Sequence, residues 1–126
     1  MSARFNTASR INRRQADDAR DVLRAARQHI RSIIGNGLLV LPSASSVAPL
    51  ISDAGLCGER VRRTTMLLTC VAGIAGLPAV NIPLVTGNGL PCGISIVGPA
   101  HRDVDVLALA VRLSESRLHE RKNEHA

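Results

Sequence analysis

The sequence has almost no aromatic side chains. Among 126 residues it has one Phe, Phe5, and neither Trp nor Tyr. Aromatic rings usually supply much of a core's buried area. A core here must therefore be aliphatic, built from Leu, Val, Ile and Ala, which suits a layer that packs onto something else. Lysine is nearly missing as well: Lys122 stands alone against fifteen Arg. The three cysteines, Cys57, Cys70 and Cys92, show no C-x-x-C spacing. That excludes a disulfide framework and a zinc pattern, and leaves buried free thiols in a reducing compartment as the expectation. No phosphate loop is present, because GLPCG and TGNG lack the G-x-x-x-x-G-K-[ST] pattern. No cofactor and no metal ligand set is expected.

Long hydrophobic runs are missing too. The start, MSARFNTASRINRR, has no apolar h-region, so no secretory leader is read there. The longest apolar stretch, 66-MLLTCVAGIAGLPAV-80, is interrupted by Gly and Pro and falls short of the ~20 residues a membrane span needs. A cytoplasmic protein without a membrane partner is expected.

What is present fits one domain. A chain of this length can bury roughly two-thirds of its unfolded surface. The formal charge is +6, and seven Arg fall between positions 10 and 31. Such a cluster can attract nucleic acid or an acidic partner. Asp17, Asp18 and Asp21 are interleaved with it, however, and no aromatic stacking residue accompanies it. A solvated helix face is the plainer reading, and nucleic acid is not the expected partner.

Residues 13–34 read as a helix: Ala19, Leu23, Ala26, Ile30 and Ile33 recur at helical spacing, and 35-GNG-37 stops it. The run 38-LLVL-41 is short, apolar and bounded by Gly and Pro, which predicts a strand buried on both faces. Pro42 ends it, and a Ser/Ala loop follows. Residues 50–60 read as a surface loop. Residues 61–75 read as a helix, apolar nearly all round after Arg63 and so expected to be internal.

Gly-Leu-Pro occurs twice, at 76–78 and 89–91. The first copy ends the helix and enters a strand, AVNIPLV (79–85). The second belongs to the connection into CGISIVG (92–98). Asn88-Gly89 is a strong turn dipeptide, so the two runs form a hairpin, with Pro83 at an edge, a bulge or a strand end. Residues 103–118 read as an amphipathic helix. Asp103 is its N-cap or first-turn acid. Val104, Leu107, Ala108, Val111 and Leu118 are expected on its buried face. The order is helix, strand, helix, strand pair, helix: an α/β arrangement.

These features resemble the C-terminal part of amidase signature family enzymes. The resemblance rests on 39-LVLPS-43 with Ala48-Pro49, on 69-TCVAGIAGLPAVNIPL-84, and on 89-GLPCGISIVGP-99 with a helix after it. It covers about residues 13–113 of a single unit spanning 1–126, leaving 1–12 and 114–126 as flexible ends. One departure is Gly73, where many members carry Asn. The resemblance implies part of an α/β/α sandwich, a mixed sheet covered by helices. It implies hydrolysis of carboxamides by a Ser–cis-Ser–Lys triad on a small-molecule amide substrate. That triad and its Gly/Ser-rich signature lie upstream in the family, and none of it can be placed here, so no catalytic residue is assigned. The chain is then a fragment, a truncated gene product or a piece of a split enzyme.

Three residues are expected near the substrate pocket: Ser43 in the loop after the first strand, and Thr69 and Gly73 on the apolar helix. Ser45 and Ser46 are tempting nucleophiles, but no Lys or His has a motif relation to them. His101, just before the last helix, is expected to meet solvent or a cap. Two further readings stand beside the amidase one. The Arg-rich helix 10–31 makes a non-enzymatic binding module, or the chain exposes sheet edges and apolar helix faces and self-associates unless an upstream polypeptide completes it.

Overall fold

A computed structural model describes the backbone of residues 2–53 and 55–123, with side chains for 5–52, 55 and 58–116. The elements in order are α1 (Ser2–Ala8), α2 (Arg13–Ile34), β1 (Leu39–Pro42), a 3₁₀ turn (Ile51–Asp53), α3 (Leu56–Ala75), β2 (Ala79–Val85), β3 (Pro91–Val97) and α4 (Asp103–Asn123). This is a partial α/β fold.

Local chemistry sets the helix ends. Asn12 caps α2 in a capping box: its side chain accepts from the Gln15 N–H (2.9 Å), and the Gln15 side chain accepts from the Asn12 N–H (3.0 Å). Gly35, at φ +52°, closes the other end by donating to the Arg31 carbonyl. α3 ends at Gly76 in the left-handed region, with the Leu77 N–H donating back to the Ala72 carbonyl (3.0 Å). The first Gly-Leu-Pro is therefore a helix stop. The second lies in the hairpin turn, where Gly89 (φ +78°) donates to the Thr86 carbonyl and the Thr86 N–H donates to Leu90.

The strands form one sheet in the order β1-β3-β2, and both pairings are antiparallel. The mixed pairing that the resemblance implies is not seen among the described residues. The register places Val40, Pro42, Ile94, Ile96, Val80, Ile82 and Leu84 on one face. Leu41, Ser95 and Asn81 line up on the other, as do Ser43, Gly93 and Pro83 if β1 is continued by one residue.

The register also settles Pro83. The Thr86 N–H donates to Leu90 and the Gly98 N–H to Pro78, so Ala79, Asn81, Pro83 and Val85 turn their backbone groups to the open edge of β2. Pro83 sits at an edge, where it removes no bond from the ladder. The Ser43 N–H donates to Gly93, so Val40 and Pro42 face outward on β1 in the same way. Each sheet edge thus carries a proline at the same end.

The core lies on the first face. Ile82 and Ile96 pack with Val106 and Ala110 of α4, flanked by Val80, Leu84, Ile94 and Leu109. Gly98 permits this approach: a Cβ there would lie 2.1 Å from Val106 Cγ2.

Several expectations need correction. β1 is not buried on both faces; Val40 is 58% exposed, because α4 packs on β2 and β3 and leaves β1 uncovered. α3 begins at Leu56 inside the expected loop, since Glu59 and Arg62 pair across its first turns. Nor is α3 internal: it meets α2 and β1, while Met66 and Leu67 on its free side are exposed. α4 buries Val106 and Ala110 rather than Val104, Leu107, Ala108 and Val111, which are exposed. Residues 104–111 are apolar at seven of eight positions, so periodicity cannot choose a face, and the close approach at Gly98 does. Leu118 lies outside the described side chains, as does Cys57. Cys92 is exposed rather than buried, at the hairpin end of β3 beyond the core cluster; Cys70 is half-buried, and both thiols are free. The ends expected to be flexible include α1 and the last turns of α4.

Candidate functional site

The second face of the sheet carries the polar chemistry. Ser43 follows β1, Asn81 lies in β2, and Ser95 lies in β3. The register brings them together because each has the parity that points away from α4. The Ser43 hydroxyl lies 3.3 Å from Asn81 Oδ1 and 3.3 Å from Ser95 Oγ. The Ser95 hydroxyl, itself buried, also donates to Asn81 Oδ1. One amide oxygen thus accepts from two serines. Gly93 makes room: a Cβ there would lie 2.9 Å from Ser43 Oγ and 3.1 Å from the Ile82 carbonyl oxygen.

A cleft of about 410 Å³ opens beside this cluster. Ser43, Ser46 and Asn81 line it on the polar side, and Val47, Val61 and Pro83 supply apolar wall. The loop forming its rim is pinned to α3. The Ser45 N–H donates to Thr65 Oγ1 (3.1 Å), and the Ser45 hydroxyl donates to the Val61 carbonyl (3.2 Å). Ser45 is therefore a rim fastener rather than a free nucleophile. The Ser46 hydroxyl donates to the neighbouring Val47 carbonyl.

Of the three residues expected near a pocket, Ser43 lines this cleft. Gly73 lines a different hollow of about 640 Å³ between α2 and α3, with Arg20, Leu23, Arg24, Arg27 and Ile74. Thr69 is exposed, and its hydroxyl donates to the Thr65 carbonyl one turn back. The structure does not gather the three at one place. Asn81, Ser95 and Thr65 were not singled out by sequence. Strand register was the available signal for Asn81 and Ser95, because a period of two places 81 and 95 on the face opposite Ile82 and Ile96.

The Arg-rich stripe of α2 is largely engaged. Arg20 pairs with Asp17 (2.6 Å) and Arg24 with Asp21. Arg27 Nε donates to the Ile74 carbonyl (3.0 Å), Arg31 Nε to Ala75 (2.7 Å) and Arg31 Nη2 to Gly76 (3.1 Å). These arginines satisfy carbonyls left over at the α3 C-terminus and place positive charge at the negative end of its dipole. Arg62 is held protonated above its usual range, chiefly by its hydrogen bonds to Glu59. His101 adopts φ +64° and is exposed. Among the described residues, no cluster of three or more His, Cys, Asp or Glu could hold a metal ion, and no helix is long and apolar enough to cross a membrane.

No protein-family model matches the chain. Individual proteins do. Amidase 1 of Arabidopsis thaliana is 27% identical over 115 residues, covering 90% of this chain and 27% of that protein. Amidase 1 of Oryza sativa subsp. japonica is 28% identical over 85 residues, covering 68% and 20%. A mitochondrial glutamyl-tRNA(Gln) amidotransferase subunit of Coccidioides posadasii is 31% identical over 84 residues, covering 64% and 17%. The chain is similar, over part of their length, to amidases and to amidotransferase A subunits. It spans about a quarter or less of the length of these relatives. The two Gly-Leu-Pro blocks lie at the end of α3 and in the hairpin turn, and the LPS strand end leads into the cleft by Ser43.

Proposed function

We propose that the chain supplies part of the sheet and one wall of the acyl pocket of an amide hydrolase, which cleaves carboxamide C–N bonds to acid and ammonia or amine. The observation that carries this reading is unfinished packing. The chain exposes 10,032 Å², whereas a folded monomer of its mass exposes about 6,500 Å². The excess includes apolar faces on α3 and α4 and an uncovered β1, as expected of a layer that the rest of an amidase covers. The relatives' names supply the chemistry. The complementing polypeptide, in the same chain or another, brings the Lys and the Ser-rich signature. The setting is cytoplasmic and the substrate a small amide.

The segment alone is catalytically silent, because among the described residues no Lys or His is hydrogen-bonded to Ser43, Ser45 or Ser46. A serine nucleophile needs an adjacent base and an oxyanion hole. The purified 126-residue chain should release no ammonia from simple amides. Turnover that survives purification and is lost in Ser43→Ala would overturn the reading. The Arg-helix alternative receives no support from the geometry, since Arg20, Arg24, Arg27 and Arg31 are occupied within the fold.

A further inference from the structure

We infer that Asn81 is a ligand-binding residue: its carboxamide N–H groups form a hydrogen-bond donor subsite for the carbonyl oxygen of a short apolar acyl compound in the cleft beside Ser43. Nothing in the amidase reading is needed for this inference, and its test involves no turnover.

The argument begins with donor and acceptor counts. A neutral Asn side chain offers one oxygen and two N–H donors. Here the oxygen is taken, because it accepts from Ser95 and from Ser43. Two hydroxyls on one oxygen fix which way the amide faces. The Ser95 end is anchored in the interior, at 8% exposure. Asn81 is exposed, lines the cleft, and makes its described side-chain hydrogen bonds through Oδ1. Its two N–H groups are thus left for solvent or a ligand. Pre-orientation matters energetically, because a donor already held in place costs little to order on binding.

The surroundings define the ligand. Val47, Val61 and Pro83 make the wall largely apolar, and about 410 Å³ lies within the range of small-ligand sites. An apolar cleft lined by a carboxamide whose oxygen is already taken suits an apolar body ending in an acceptor. Asn81 comes from β2 and Ser43 from the end of β1, so strands rather than mobile loops hold the donor. Ser43 acts here as a positioning residue.

The test uses the ¹⁵N-labelled 126-residue chain and the side-chain NH₂ resonances of Asn81. N,N-dimethylbenzamide is an acceptor with no N–H; benzylammonium is a donor. Titration with N,N-dimethylbenzamide should shift the Asn81 NH₂ pair saturably, and benzylammonium should not. Asn81→Asp keeps an oxygen for both serine hydroxyls while removing the donors, so it should stay folded and lose about tenfold or more in affinity. Ser43→Ala frees the amide to turn and should cost about threefold, the equivalent of one weak hydrogen bond. No shift at saturating probe, equal binding by Asn81→Asp, or preference for benzylammonium would each overturn the inference. The last would mean that the oxygen, not the NH₂, faces the cleft. Should Asn81→Asp unfold, the wild-type titration with the two probes still decides. Ammonia release bears only on the amidase reading, so the two fail separately.

Discussion

The two faces of the sheet are made by the same strands and have opposite character. One is sealed by α4: Ile82, Ile96, Val106 and Ala110 are all buried, and Gly98 lets the helix approach. The other is graded. It is closed at Val97, which is 2% exposed, and passes through the Ser95–Asn81 row to a cleft at Ser43 and Gly93. Alternation explains the split, since each residue is committed to a face by parity. The first face is completed by residues that follow within a few positions. The second depends on α3, whose main strand contact is β1, and on α2, which packs on α3. The near layer is finished within the chain, and the distant one is left open.

The largest effect is expected at Gly98→Ala. The added Cβ would fall 2.1 Å from Val106 Cγ2, so α4 must shift off the sheet. Overpacking at such a site costs about 3 kcal/mol or more. Urea denaturation should show the loss, and Val106→Ala in the same chain should restore part of it. If Gly98→Ala is neutral, α4 does not seal that face.

The second comparison partner is the α2–α3 pair, and Arg31 tests it. Two nitrogens of Arg31 donate to Ala75 and Gly76, the last carbonyls of α3. Arg31→Ala strands them and should cost about 1–2 kcal/mol by urea denaturation. Arg31→Lys should recover part of this, because a point charge still meets the helix end but cannot form the fork. An Arg31→Ala chain as stable as the parent would mean that the open side contributes no structure of its own.

How much of this was legible in sequence follows the same division. α2, the hairpin and the edge position of Pro83 were legible because caps, Asn-Gly and proline act over a few residues. The resemblance was legible because two Gly-Leu-Pro blocks at fixed spacing encode a helix stop and a hairpin together. Ser43 was singled out through its place at a strand end, whereas Asn81 and Ser95 needed the register that joins residues 14 apart. The roles of Arg27 and Arg31 were hidden for a similar reason: their acceptors are carbonyls more than 40 positions away. The burial of 38–41 and of α3 was overestimated because apolar composition reports what a segment buries in its complete surroundings. Here Val40, Met66 and Leu67 stay exposed.

The smallest effect on stability is the most telling for that last point. α4 is apolar on two sides: Val106 and Ala110 face the sheet, while Val104, Leu107 and Val111 form a stripe that is half exposed or more. Leu107→Ser should therefore change the urea midpoint by no more than about 0.5 kcal/mol, as for an exposed position. It should, however, reduce self-association in sedimentation velocity, because an uncovered apolar stripe buries itself wherever it can. Ile96→Ala, on the sealed side, should cost about 2–5 kcal/mol in the same assay. If Leu107→Ser approaches that loss, the outer stripe is already covered within the chain. The contrast between a finished and an unfinished layer would then collapse.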